Sequence, residues 1–246
     1  MIRTTSTFLS IIFLIFTIMV SSLSAEEGEV EFEISLLGEG RDSLQSRIKF
    51  PRTKEDVSIS LRCRALIVKR GKYENNLCYP NDYKLEEDFI DAIHLASRRA
   101  RNTEALVNGQ EASVLFFYTV EFIKNGDIEE VHVYPNDGSN VEVYGKDYYS
   151  PQHLNSTYWL EKLDFSLDCF NENPFVVTHY KISDKFAYPL QVGVENVVEC
   201  EDKWVEYAKR STFLPAMHEG KPVVSTISQI HFYVEQAKEE IINIRK

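Results

Sequence analysis

The sequence has little proline, little basic charge and none of the short motifs that usually announce catalysis. Its eight prolines are scattered through 246 residues, so there is no long Pro-rich spacer. The apolar stretch Phe8 to Val20 has 13 residues, short of the ~20 that a membrane-spanning helix needs. Lysine and arginine number 27 against 38 aspartates and glutamates, a net charge of −11. A chain this acidic repels phosphate backbones, which argues against a nucleic-acid partner. HExxH is absent, and His94, His132, His153, His179, His218 and His231 lack the paired spacing of a metal site. No glycine-rich phosphate loop is present. The expected inventory is therefore no cofactor, no metal and no catalytic residue.

What is present begins at the N-terminus. Met1-Ile2-Arg3-Thr4-Thr5 is a short basic head, Phe8 to Val20 is apolar, and Ser21 to Ala25 are mostly small residues ahead of Glu26-Glu27. That is the layout of a secretory signal peptide, with cleavage after Ser24 or Ala25. Removing the first 25 residues takes away one basic residue, Arg3, and leaves a charge of −12. Export would place Cys63, Cys78, Cys169 and Cys200 in an oxidising compartment, where an even count suggests two disulfides.

Along the mature chain, Glu26 to Pro51 reads as a charged leader containing Gly38-Glu39-Gly40. From Val57, apolar residues alternate through Ile59, Leu61, Cys63, Ala65 and Ile67, a strand with one buried face. Arg70-Gly71 turns the chain, and Tyr73 to Tyr79 returns antiparallel. A two-residue turn there places Cys63 opposite Cys78, close enough for a disulfide. Leu85 to Arg101 carries the apolar stripe Phe89, Ile93, Ala96 and Ala100, with acids in its first turn and Arg98, Arg99 and Arg101 in its last. That charge order suits a helix dipole.

The stretch from Arg101 to Phe122 is repeated, 111 positions later, by Thr212 to Tyr233: Ala105 meets Ala216 and Gly109 meets Gly220. Phe165-Ser166-Leu167-Asp168-Cys169 likewise echoes Ile59-Ser60-Leu61-Arg62-Cys63. Phe175 to Ile182 follows as a return strand, and Glu195 to Ser211 as a helix whose buried stripe includes Val197, Cys200, Trp204 and Tyr207. A Cys169–Cys200 bridge is reachable from strand to helix. The expected organisation is a signal peptide over 1–25, a leader or linker over 26–51, one unit over 52–124, a linker or hairpin over 125–157, a second unit over 158–235 and a helical tail over 236–246. The fold class is α+β, with two tandem strand-strand-helix-strand units, each a small antiparallel sheet with one packed helix.

Phe213-Leu214-Pro215-Ala216 and Glu219-Gly220-Lys221-Pro222-Val223, in that order of elements, resemble the C-terminal domain of TonB and its relatives. The second copy matches better; in the first, Asn102, Glu104 and Gln110-Glu111 replace the motif residues. The resemblance implies a periplasmic domain that binds a protein or peptide partner, such as another envelope protein, by pairing a strand edge with an extended segment. The candidate edges are Val114, Phe116, Tyr118, Val120 and Phe122 in the first copy and Ile227, Gln229, His231 and Tyr233 in the second.

Two other readings compete with this one. A secreted enzyme could hold its cleft between the two units, with Trp159, Trp204, Tyr148 and Tyr149 as candidate lining. A TonB-type energy transducer would keep the leader as a membrane anchor. Cys200 as a nucleophile is disfavoured, because Glu199, Glu201 and Asp202 raise a thiol pKa.

Overall fold

The computed structural model describes residues 30–80, 83–154, 175–186, 188–196 and 201–232. The signal-peptide region, the strand expected at Leu163–Cys169, Cys169, Cys200, Trp159, Tyr233 and the tail helix lie outside the described residues. What is described is α+β and rich in antiparallel sheet.

The largest sheet has six strands. Its centre is β2 (Val57–Val68) paired along its length with β6 (Val114–Asn125). β3 (Lys72–Tyr79) lies beyond β2. The expected alternation holds on β2: Leu61, Cys63, Ala65 and Ile67 are at most 1% exposed, while Ser58, Ser60 and Arg62 face solvent.

The β2–β3 turn departs from expectation in an instructive way. It has three residues, Lys69–Gly71, with Val68 opposite Lys72. Arg70 and Gly71 take φ of 62° and 64°. Further along, Asn75 and Asn76 oppose Ala65 alone, with Asn75 at φ 48°. This bulge shifts the register by one residue, so Cys63 still faces Cys78. The two form a disulfide, S–S 2.01 Å and Cα–Cα 4.0 Å. Lys72 and Glu74, both exposed, and the bulge also blunt this outer edge against further pairing.

The α2 helix (Tyr83–Ser97) covers one face of the sheet. Phe89, Ile93, Ala96 and Ala100 are buried, as the stripe predicts. The segment read as a leader is not free of the fold. β1 (Phe32–Glu33) pairs with β4 (Ala105–Val107), and α1 (Leu44–Arg47) buries Leu44 in the same core. Gly71 and Gly38 explain how tightly this layer is pinned. A Cβ at Gly71 would sit 1.8 Å from the Asn102 carbonyl oxygen, and one at Gly38 1.8 Å from that of Arg101. Only glycine permits both approaches.

The segment expected as a linker or hairpin over 125–157 also supplies strands to the sheet. β7 (Ile128–Tyr134) pairs with the C-terminal half of β6, while β8 (Gln152–Leu154) pairs with its first two residues. β11 (Thr212–Leu214) extends the sheet beyond β8.

A three-stranded sheet is built from β10 (Gln191–Glu195), β9 (Phe175–Ile182) and β14 (Ser225–Phe232), in that order. The chain before the helix, expected as loop, therefore supplies a strand. α4 (Glu201–Lys209) contributes Trp204 and Ala208 to a second core with Val176, Tyr180 and Ile182. Phe117 of β6 joins this second core, while its neighbours Phe116 and Tyr118 belong to the first. The N-terminal half of β6 is thus buried on both faces.

Two short hairpins complete the described structure: β4 with β5 (Gln110–Ala112), and β12 (Ala216–His218) with β13 (Lys221–Val223). Their turns match in conformation. Asn108-Gly109 has φ of 50° and 73°, Glu219-Gly220 50° and 74°. α3 (Val141–Tyr144) sits between β7 and β8.

Candidate functional site: a basic groove beside α2

The expected binding edges meet different fates. Val114, Phe116, Tyr118, Val120 and Phe122 are at most 1% exposed, and β6 has strands on both sides. The edge expected in the first copy is therefore an interior strand, a correction that follows from β7 and β8 joining the sheet. Along β14, Ile227, Gln229 and His231 turn into the second core. The side of β14 away from β9 is met by side chains. The Asn140 carboxamide donates to Thr226 O at 2.8 Å and accepts from Thr226 N–H at 3.3 Å. Tyr144 donates its hydroxyl to Val224 O at 2.7 Å, and Arg64 Nη1 donates to Ile230 O at 2.9 Å. Asn140 here does for one residue what a neighbouring strand does for many.

The second core holds an unusual polar group of side chains. His153 Nδ1 lies 3.1 Å from Gln229 Oε1, and Thr178 Oγ1 lies 2.8 Å from His231 Nε2. The His153 ring stacks on Phe213 with centroids 4.6 Å apart, and His231 lies 5.2 Å from Trp204. Burial disfavours the charged imidazolium and lowers the His153 pKa to about 4, against the opposing effect of the hydrogen bond it donates to Gln229 Oε1. His231 is lowered to about 3 by burial first, then by the Arg64 charge and by His153. Both rings are neutral at physiological pH. With His153 at 1% and His231 at 6% exposure, no substrate reaches them.

Asp137 is held inside a loop: its carboxylate accepts from Ser139 N–H at 3.1 Å and from Ser150 Oγ at 3.2 Å. Tyr148 donates to Ser139 O. These bonds shape the loop that delivers Asn140 and consume the groups that chemistry would need. Tyr148 is fully buried and Tyr149 half-buried, while Trp204 is core. No group of three or more His, Cys, Asp or Glu side chains suited to a metal ion occurs among the described residues. No helix among them is long and apolar enough to cross a membrane.

The open surface with a distinct chemical character lies along the outer face of α2. The helix must bury Phe89 and Ile93, and that leaves Asp88, Asp91 and Leu95 facing outward. Leu95 is 61% exposed. Opposite runs the chain from α1 to Pro51, held down by Leu44 and Ile48. Between them is a groove of about 800 Å³. Its apolar lining comes from Phe50, Pro51, Ala92, Leu95 and Ala96. Six basic side chains line it, against two carboxylates, in a chain whose net charge is −11. Arg41, Arg47, Lys49 and Arg52 stand on one wall and Arg98 and Arg99 at the end of the helix wall. Among the described residues only Arg47 of these six is in an ion pair, with Asp42.

Sequence reading missed this site because it treated the residues before Pro51 as leader and the arginines after α2 as partners of the helix dipole. The signal available was Leu95, an apolar residue off the buried stripe, flanked by unpaired cations.

A further cavity of about 900 Å³ separates the β4–β5 hairpin from Phe186 and Tyr188. Among the described residues its ionisable lining groups are Glu111 and Tyr188. No family model, curated protein or solved structure matches this chain.

Proposed function

We propose that the chain is an exported, non-enzymatic protein-binding module whose contact surface is the groove beside α2. The observation that carries this reading is the groove itself. An exposed leucine on a shallow apolar floor, rimmed by six basic side chains of which only Arg47 is in an ion pair among the described residues, offers what a partner segment needs: desolvation at the centre and charge at the margin. Arginine is suited to such rims because its planar fork binds carboxylates and carbonyls at low desolvation cost.

The wider reading is of two tandem units resembling the TonB C-terminal domain, delivered through a signal peptide over Met1–Ala25. Its support is the common order of elements. β2, β3, α2 and β6 run strand-strand-helix-strand, as do β9, β10, α4 and β14, and in each set the last strand pairs with the first. In the second set β9 takes the first place, where the sequence makes Phe175 to Ile182 the return strand after Leu163–Cys169, which lies outside the described residues. The matched hairpins at Asn108-Gly109 and Glu219-Gly220 add to it. In this proposal the mode of binding moves from a strand edge to the groove.

The experiment is a selection of displayed random peptides on the immobilised protein, followed by binding measurements with Leu95→Glu. Selected peptides that lose binding to Leu95→Glu support the reading. Peptides indifferent to that change, or none selected at all, sink it. Intact-mass measurement of the exported protein tests the leader: a mass beginning at Ala25 or Glu26 is expected.

A further inference from the structure

The residues that face the groove along α2 are not a mixture but a series. Asp88 and Asp91 come first, then Ala92 and Leu95, then Arg98 and Arg99. At a rise of 1.5 Å per residue, Asp88 and Leu95 are about 10 Å apart along the axis, and Arg98 and Arg99 follow in the turn just beyond Ser97. The helix wall therefore runs from acid through apolar to base. The facing wall does not share this gradient: Arg41, Arg47, Lys49 and Arg52 are all cationic. A ligand between the walls meets cations on one side throughout, and on the other side only at the Arg98–Arg99 end.

From this series we infer that the groove takes an acidic segment of a partner protein, bound in one direction. Its acidic end lies at Arg98 and Arg99 and an apolar side chain lies over Leu95. The inference rests on the peptide-binding reading above and adds the partner's chemistry to it. Carboxylates fit the rim because Arg98 and Arg99 stand at that end of the helix wall and Arg41 and Arg52 line the facing wall, guanidinium groups in no ion pair among the described residues. A nucleic acid is the poorer match. Its uniform backbone charge would meet Asp88 and Asp91 at the other end, and the chain as a whole repels it at −11. The apolar centre is what separates this from a generic electrostatic contact, since exposed charge pairs alone contribute little.

The test uses the purified protein and a fluorescein-labelled peptide of about twelve residues. The peptide has an Asp/Glu block at one end, a leucine pair in the middle and neutral residues at the other end. Anisotropy is expected to show saturable binding that weakens about tenfold when the acidic block is replaced by lysines, and again as salt screens the rim. Arg98→Glu/Arg99→Glu is expected to weaken binding about tenfold, while Asp88→Lys/Asp91→Lys leaves it equal or tighter. These are exposed positions, so unchanged thermal melts will show that the variants fold. A benzophenone at the acidic end should cross-link near Arg98–Arg99 and not near Asp88. Equal binding of the lysine peptide, or of a single-stranded oligonucleotide of the same length, overturns the inference. So does equal sensitivity to both charge reversals. If peptides selected by display bind at Leu95 but are neutral or basic, the groove reading stands and the inference falls. If none bind there, both fall.

Discussion

The two cores of this molecule use the same strand pattern to different ends. In the first, β2 points Leu61, Cys63, Ala65 and Ile67 inward; in the second, β9 points Val176, Thr178, Tyr180 and Ile182 inward. β2 pairs with β6 and β9 with β14, Cys63 facing Tyr118 and Thr178 facing Gln229. The first core holds the Cys63–Cys78 disulfide; in the second, among the described residues, His153 Nδ1–H donates to Gln229 Oε1 and Thr178 Oγ1 bonds to His231 Nε2, both rings buried and neutral. The same pattern of burial thus sets both strands, while the second inward residue differs: Cys63 carries a covalent link and Thr178 a hydrogen bond to a histidine that titrates.

This contrast can be broken or sharpened by experiment, starting with the largest effect at neutral pH. Trp204→Ala removes the largest fully buried side chain and should cost about 4 kcal/mol in urea unfolding. Because β6 serves both cores, that loss should appear as one shifted transition. Two separated transitions would show the cores to be independent.

Acid should act on the second core first. The unfolded chain takes up protons on these histidines near pH 6.5, but the folded chain only near pH 4 at His153 and pH 3 at His231. Between those values the unfolded state holds more protons, so stability falls as pH falls. The loss should be about 3 kcal/mol for His153 and about 5 kcal/mol for His231 across these windows. His231→Asn should flatten more than half of this acid limb in pH-dependent melts; an unchanged slope would move the titrating groups elsewhere.

Cys63→Ser/Cys78→Ser opens a bridge across a sequence separation of 15, and loops of that length contribute about 3 kcal/mol. Since a disulfide has no proton to exchange, the cost should be the same at pH 7 and pH 5, in contrast to the histidine variant. Asn140→Ala frees the Thr226 backbone groups and should cost about 1 kcal/mol. Leu95→Glu should change stability by no more than about 0.5 kcal/mol. Its effect should appear in binding alone, and a large loss of stability would show Leu95 to be structural.

Much of the first unit was legible because its signals are local. Alternation on β2, the stripe on α2 and the glycines at the turns each specify an element without reference to anything distant. Cys63 and Cys78 were legible as a pair for the same reason, although the three-residue turn and the Asn75 bulge were not: their effects on register cancel, so the two-residue turn predicts the same partner. What sequence could not show was which strands sit in the middle. The alternating residues of β6 look alike whether or not β7 and β8 flank them, because pairing depends on the backbone of segments far along the chain. The basic groove was hidden for a similar reason, its walls being Arg41 to Arg52 and the far end of α2. The histidine contacts to Gln229 and Thr178 span 76 and 53 residues, beyond any local spacing rule.

One strand of three residues has a consequence in time. β11, Thr212–Leu214, completes the outer side of a sheet whose centre is laid down from Val57. β11 pairs with β8 across 58 to 62 residues, no farther than the 47 to 67 that separate β2 from β6. The other five strands of the sheet all lie between Val57 and Leu154, so they can pair before β11 is made. Phe117 must wait longer, because Val176, Trp204 and Phe213 of the second core all follow Leu154 in the chain. The order of synthesis thus favours the larger sheet first and the second core after it, with β6 waiting half-covered in between.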